Sequence, residues 1–174
     1  MKLLWAAAAA LLLHSAEASA QDQPTVSWPA WADSDVAWAA VDGRNTVTGT
    51  ALLRTRGGEP RTCAALEVTL VPQSAYADER ISRIYGVDQQ GYRDVHSYPR
   101  LEEPPVGYIR STRTTRCDGQ GYFQFDGVPD GSYYVISIVT WTVPGRYVAQ
   151  TQGGALMAKV SVKGGQTRRV VLGN

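Results

Sequence analysis

From residue 44 onward, apolar side chains recur at every second position in short segments, and turns rich in Gly, Asp and Pro separate these segments. Such alternation is typical of β-strands with one buried face, because successive side chains of a strand point to opposite sides. The segment from Ser132 to Trp141 is apolar on both faces, which predicts a central strand that is covered on both sides. About seven strands follow one another, so the pattern predicts a single all-β sandwich over residues 44–174.

The first twenty residues have a different character. A positive start at Lys2 precedes an apolar run from Leu3 to Leu13, and small residues then lead to Ala20. This order is typical of a secretory signal peptide that is cleaved after Ala20. As a helix the apolar run is only about 16 Å long, whereas a membrane span must cross roughly 30 Å. We therefore expect a periplasmic or secreted bacterial protein with no membrane span in the mature chain.

The chain has two cysteines, Cys63 and Cys117. In an oxidising compartment each has only the other as a partner, so we expect a disulfide between them. The alternative is a nucleophilic thiol, which needs a nearby base. Outside the leader His96 is the only histidine that could serve, and we therefore favour the disulfide.

Charge and motifs exclude several functions. Lys and Arg total 17 and Asp and Glu total 16, and a net charge of +1 argues against nucleic acid as a partner. The nucleophile-elbow, zinc-protease and phosphate-loop motifs do not occur in the sequence. We expect no enzyme activity, no catalytic residue, no cofactor and no metal. A calcium site at Asp118, Asp126 and Asp130 is the alternative, although tight turns favour Asp for their own geometry.

Residues 21–43 form a tryptophan-rich N-terminal arm in which Asp33 and Asp35 could cap a short helix that ends at Ala39. Its three tryptophans are candidate ligand-binding residues, because indole rings stack on sugars; they are Trp28, Trp31 and Trp38. The alternative interpretations are that these rings attach the arm to the domain core or contact a partner protein.

A long insertion follows the second predicted strand, which covers residues 66–72. Ser74 and Gly86 carry the signals of a helix start and stop, which predicts one short helix between them. Residues 87–107 read as a loop, and a loop of this length is commonly functional. Its neighbourhood supplies three more candidate ligand-binding residues, which are Tyr85, Tyr92 and Tyr98.

Several turns complete the predicted topology. The turn between Arg54 and Arg61 contains three arginines and could bind an anion, although a solvated loop is the simpler interpretation. A strand is predicted from Tyr108 to Arg116, followed by a hairpin turn at residues 118–121. A last hairpin is predicted across Gly164-Gly165, between strands at 156–163 and 167–172.

The segment from Cys117 to Val135, CDGQGYFQFDGVPDGSYYV, resembles the signature of carboxypeptidase regulatory-like domains. That signature has an acidic residue, a glycine and two alternating phenylalanines, followed by a hydrophobic-Pro-x-Gly-x-Tyr-x-Val run. The resemblance extends over about residues 44–172. It implies a seven-stranded transthyretin-like (Ig-like) β-sandwich, with Phe123 and Phe125 in the core and the Tyr133 hydroxyl bonded to the backbone.

The resemblance also implies an accessory or binding module without catalysis. Our leading hypothesis is therefore an exported, non-catalytic module with a structural or interaction role in the bacterial cell envelope. The partner would be an envelope protein or a glycan. The alternatives are a carbohydrate- or cell-wall-binding module that uses the exposed aromatic residues, and an unrecognised hydrolase built around His96.

Overall fold

The computed structural model describes residues 28–174, so the predicted leader 1–20 and its cleavage point lie outside the described residues. Within this range the chain forms nine strands, two α-helices and two short 3₁₀ helices. The strands are β1 (Asn45–Arg54), β2 (Pro60–Thr62), β3 (Glu67–Pro72), β4 (Gln90–Asp94), β5 (Arg113–Arg116), β6 (Tyr122–Val128), β7 (Gly131–Val143), β8 (Gln150–Val162) and β9 (Thr167–Leu172). The helices are α1 (Ala75–Tyr85) and α2 (Val106–Ser111), with 3₁₀ helices at Asp33–Ala39 and Val95–Ser97.

The strands form two sheets that face each other, which confirms the predicted all-β sandwich. In the first sheet β1 lies between β9 on one side and β6 on the other, and β2 pairs with the end of β1. The β1–β9 pair is parallel, whereas the other pairs of both sheets are antiparallel. The second sheet has the order β4-β8-β7-β3-β5, which places β7 in the middle as predicted.

The space between the sheets is filled by the alternating apolar residues of the sequence. Phe123 and Phe125 of β6 point inward, and Gln124 between them is exposed, as predicted. The Tyr133 hydroxyl donates a hydrogen bond to the Pro129 carbonyl at 3.1 Å, which confirms its predicted return to the backbone. The segment that carries the family resemblance therefore supplies two core side chains and one hydrogen bond from a side chain to the backbone.

A second apolar layer covers the outer face of the second sheet. Helix α1 begins where the Ser74 hydroxyl accepts a hydrogen bond from the Ala77 amide, and it ends at Gly86. Gly86 has φ of +73°, a left-handed conformation that glycine adopts without steric cost. Both ends match the prediction. The layer explains why β7 is apolar on both faces, since Tyr134 packs outward there with the apolar residues of α1.

Cys63 and Cys117 form a disulfide with a sulfur–sulfur distance of 1.94 Å, which confirms the predicted pairing. Both side chains are buried. The bond joins the segment after β2 to the segment after β5. The whole insertion that carries α1, β4 and α2 therefore lies inside the covalent loop.

Several local predictions were wrong. Residues 90–94 form an edge strand instead of a loop, because their backbone pairs with β8. The predicted strand from Tyr108 to Arg116 begins as helix α2 and becomes extended only at Arg113. With β2 and β4 included, the described residues contain nine strands where seven were expected.

Both predicted hairpin turns connect strands of different sheets. The turn at residues 118–121 leads from β5 in the second sheet to β6 in the first. The turn at Gly164-Gly165 leads from β8 in the second sheet to β9 in the first. The turns themselves form where predicted, but the strands that they join are not paired.

In the N-terminal arm, a 3₁₀ helix forms over the predicted segment, but no side chain caps its start. The Asp33 carboxylate instead accepts a hydrogen bond from the Trp31 indole N–H at 2.7 Å. Among residues 28–174 no helix has the length and apolar character that a membrane span requires.

Candidate functional site

Two of the predicted tryptophans pack on the outer layer. The ring centroids of Trp28 and Trp31 lie 5.5 and 5.9 Å from that of Tyr76. Trp31 also meets Tyr108 edge-on at 5.7 Å, and the Arg83 guanidinium lies 4.2 Å from the Trp28 ring centroid. These contacts account for the position of both rings, because they attach the arm to the domain. Sugar stacking through them stays a prediction.

The third tryptophan, Trp38, packs on the sandwich. Its ring centroid lies 5.3 Å from that of Tyr133, and its indole N–H donates to the Asp35 carbonyl at 2.9 Å. A Cβ added at Gly131 would lie 2.1 Å from the Trp38 ring, so only glycine leaves room for this packing. Trp38 therefore holds the 3₁₀ helix against the strands.

The three predicted tyrosines occupy different environments. Tyr85 is buried among the residues of α1, and this burial raises the pKa of its hydroxyl. Tyr98 is 42% exposed and borders a groove of about 290 Å³ between the helices and the second sheet. Tyr92 is 36% exposed and lines a separate cleft. The structure thus does not bring the three together.

The cleft at Tyr92 has a volume of about 270 Å³ and lies where three segments meet beside Asn174. One is the loop after β1, one is β4 with the following 3₁₀ helix, and one is the end of the β7–β8 hairpin. This hairpin extends beyond the neighbouring strand β3, because β7 pairs with β3 only as far as Ser137 but with β8 as far as Val143. We call residues 140–153 the projecting hairpin.

Two aromatic rings line the cleft above a pair of glycines. A Cβ added at Gly154 would lie 2.8 Å from the Tyr92 ring, and one added at Gly153 would lie 2.9 Å from the Trp141 ring. Gly153 also has φ of +106°, which other residues rarely adopt. Both rings therefore rest on bare backbone, and Trp141 is only partly buried. A glycine inside a strand commonly marks such a close approach.

Hydrogen-bonding groups surround the two rings. The Tyr92 hydroxyl lies 3.2 Å from the Asp94 carboxylate and 3.3 Å from the Gly153 carbonyl, and it can donate to either. Burial, together with the charge and hydrogen bond of Asp94, raises the pKa of the Tyr92 hydroxyl above its usual range. The remaining polar lining comprises Arg54, Thr55, Arg56, His96, Gln152 and Asn174.

His96 and Asp94 share the cleft, and the Asp94 carboxylate bonds to the backbone of His96. The Asp94 carboxylate accepts a hydrogen bond from the backbone N–H of His96 at 2.8 Å, which caps the 3₁₀ helix. No hydrogen bond reaches the His96 ring from any residue in the range 28–174. A histidine that acts as a base is normally oriented by such a bond. The cleft thus brings His96 near a carboxylate and the Tyr92 hydroxyl, without a hydrogen bond that orients the imidazole ring, and the hydrolase hypothesis stays a prediction.

The three aspartates considered for calcium serve separate turns and strands. Asp118 accepts from the amides of Gln120 and Tyr122, and Asp130 accepts from the Asn45 side chain at 2.8 Å. Asp126 accepts from side chains of the first sheet. In the described part of the chain, no three His, Cys, Asp or Glu side chains converge on a possible metal position.

Of the predicted ligand-binding residues, only Tyr92 lies in this cleft. Trp141 was not predicted as a site residue. The apolar pattern of its strand does not show that the ring lies at the end of the projecting hairpin. Gly153 and Gly154, just before the predicted strand at residues 156–163, were the available signal, because glycine in a strand commonly marks a close approach by a ring or a ligand. Arg54 and Arg56 were noted as possible anion-binding residues.

Comparison with solved structures gives a likeness in fold. No family model matches the chain, and no curated protein is significantly similar to it. The fold resembles the crystal structure of a Pseudomonas aeruginosa protein described as a "putative carbohydrate binding protein". The TM-score is 0.70 at 24% sequence identity, and the match covers 85% of this chain and all of the other. At this identity the likeness shows a shared fold.

Proposed function

We propose that this protein is a non-catalytic carbohydrate-binding module that bacteria export to the cell envelope. The observation that carries the proposal is the pair of accessible rings, Tyr92 and Trp141, lying over bare backbone in a cleft with polar rims. Aromatic faces bind the apolar faces of sugar rings, while amides and charged side chains bind the sugar hydroxyls. The structural neighbour, which is described as a putative carbohydrate-binding protein, supports the proposal of carbohydrate binding.

We further propose that the sandwich is a transthyretin-like domain of the carboxypeptidase regulatory-like family. The motif at residues 117–135 supports this assignment, since its phenylalanines and Tyr133 have the structural roles that the resemblance implies. Such domains are accessory modules, which agrees with a cleft in which His96 is not oriented for catalysis. Function nevertheless follows from the site and not from the fold.

Export is part of the proposal. The buried disulfide supports an oxidising compartment, and the leader pattern supports cleavage after Ala20. N-terminal sequencing of protein recovered from the periplasm or medium should begin at Gln21. Recovery of the intact chain from the cytoplasm, with both thiols free, would contradict export.

A glycan-binding screen that includes peptidoglycan fragments tests the proposed function directly. We expect one class of oligosaccharide to bind, and Trp141→Ala to weaken its binding about 30-fold, which corresponds to about 2 kcal/mol for a central aromatic contact. Tyr147→Ala is the matched control, because Tyr147 is 85% exposed on the projecting hairpin but lies outside the cleft lining.

Two further variants locate the site among the other aromatic residues. Tyr98→Ala tests the groove between the helices, and Trp28→Ala tests the N-terminal arm. We expect both to bind the oligosaccharide as the wild type does. Loss of binding in either variant, with Trp141→Ala unaffected, would move the site away from the cleft.

An envelope protein is a second candidate partner, and one observation favours it. The tip of the projecting hairpin exposes Tyr147 and Val148, which are 85% and 72% accessible. Exposed apolar residues of this kind contribute to protein interfaces. Cross-linking in cells would identify such a partner. Loss of the cross-link in Tyr147→Ala, together with a glycan screen in which no saccharide binds, would favour protein binding over sugar binding.

A further inference from the structure

The cleft of the proposed function contains two arginines without an acidic partner. Arg54, the last residue of β1, and Arg56 of the following loop line it. Elsewhere in residues 28–174, Arg61 pairs with Glu59, and Arg83 with Glu79. By contrast, no carboxylate in that range forms a salt bridge with Arg54 or Arg56.

The donors of these arginines remain largely available. The Arg54 guanidinium makes one long hydrogen bond, at 3.4 Å, to the Gly58 carbonyl within its own loop. A guanidinium has five N–H donors, so most of those of Arg54 are not used by this bond. Both arginine residues are also exposed, so a ligand can reach them.

Among residues 28–174, Asp94 is the only side chain with a carboxylate that lines the cleft, and this carboxylate is already engaged. Asp94 accepts hydrogen bonds from the Tyr92 hydroxyl and from the His96 amide. The side chains that line the cleft include two arginines and one aspartate, so guanidinium groups outnumber side-chain carboxylates. Because positive charge in a cleft attracts anions, the lining favours a negatively charged ligand over a neutral one.

We propose that the cleft binds an anionic saccharide, with a sugar ring on Tyr92 and Trp141 and its acidic group on Arg54 and Arg56. This inference rests on the proposed function and specifies its ligand. A carboxylate suits the site because guanidinium groups bind it through two parallel hydrogen bonds. A sulfate or phosphate substituent has the same charge, so the experiment includes it as a separate arm.

The decisive comparison uses one sugar chain with and without its charge. Oligogalacturonate and its methyl ester have the same rings and linkages, but the ester is neutral. Isothermal titration of the purified protein should give at least tenfold tighter binding of the acid than of the ester. A sulfated oligosaccharide of equal length distinguishes a carboxylate preference from a general preference for anions.

The variants then assign the preference to the two arginines. In Arg54→Gln/Arg56→Gln the acid should bind only as well as the ester binds to the same variant, and an unchanged thermal melting curve reports an intact fold. Arg168→Gln is the matched control, because Arg168 is exposed on β9 away from the cleft. Raising NaCl from about 0.05 M to about 0.5 M should weaken binding of the acid alone.

Each result has a definite meaning. Equal binding of acid and ester by the wild type overturns the anionic ligand and leaves the proposed carbohydrate function intact. If the double variant still binds the acid more tightly than the ester, Arg54 and Arg56 do not bind the acidic group, and the inference is overturned. If no saccharide in the screen binds, both the inference and the proposed function fail.

Discussion

Loss of the Cys63–Cys117 disulfide should lower stability mainly through the unfolded state. In the folded protein, backbone hydrogen bonds hold both residues: the Cys63 amide donates to Ala51, and the Cys117 amide donates to Leu66. Native contacts around the two residues therefore persist when the covalent bond is absent. The unfolded chain, in contrast, gains the freedom of a loop whose ends are 54 residues apart.

The size of the effect follows from that loop. Opening a loop of about 55 residues raises the entropy of the unfolded chain by an amount worth about 4 kcal/mol at 25 °C. A domain of about 150 residues has an unfolding entropy near 0.3 kcal/mol/K, so the melting temperature should fall by about 10–15 °C. A loss of about 4 kcal/mol is a large share of the free energy of unfolding of a typical domain, which is about 5–15 kcal/mol.

Thermal unfolding followed by circular dichroism measures this loss. The oxidised wild type is compared with Cys63→Ala/Cys117→Ala and with wild type that has been unfolded, reduced and refolded. The reduced wild type keeps both sulfur atoms, so any further loss in the double variant is due to packing. A melting temperature within about 3 °C of the oxidised protein in both samples would refute the entropic argument.

Three further predictions concern the aromatic residues. Tyr133→Phe leaves the Pro129 carbonyl without its buried partner and should cost about 1–2 kcal/mol in urea unfolding, with no change in glycan binding. Gly131→Ala places a methyl group where the Trp38 ring lies, so tryptophan fluorescence should shift to the red as the ring becomes exposed. Burial raises the pKa of Tyr108 to about 12, whereas in the unfolded chain it is about 10. The folded state retains this proton longer, so stability should fall as the pH rises from about 10 to about 12, and Tyr108→Phe should reduce that slope.

Local signals explain which elements could be predicted. Helix α1 was predicted at both ends because Ser74 and Gly86 act on their own immediate backbone. Strand β4 was missed because its residues are polar and it is extended only through its pairing with β8. The strand after Gly164-Gly165 was placed in the wrong sheet, since a glycine turn specifies a reversal of the chain but not the partner of the next strand.

The cleft was less predictable than the fold because its parts are distant in sequence. Arg54 lies 38 positions before Tyr92 and Trp141 lies 49 positions after it. No spacing rule connects such positions, because the sheet order and the length of the projecting hairpin bring them together. Tyr92 was singled out only as an aromatic residue in a long connection, and the role of Trp141 required the structure.

The parallel pairing of β9 with β1 has a consequence for biosynthesis. Thr46 of β1 pairs with Thr167 of β9, so the first sheet lacks its β9 edge until the last strand has been synthesised. Pairings between such distant segments form late and slowly. A nascent chain cannot close its first sheet while it is still being synthesised. In this protein the order of the strands along the chain thus postpones completion of the sandwich until the β9 segment is available.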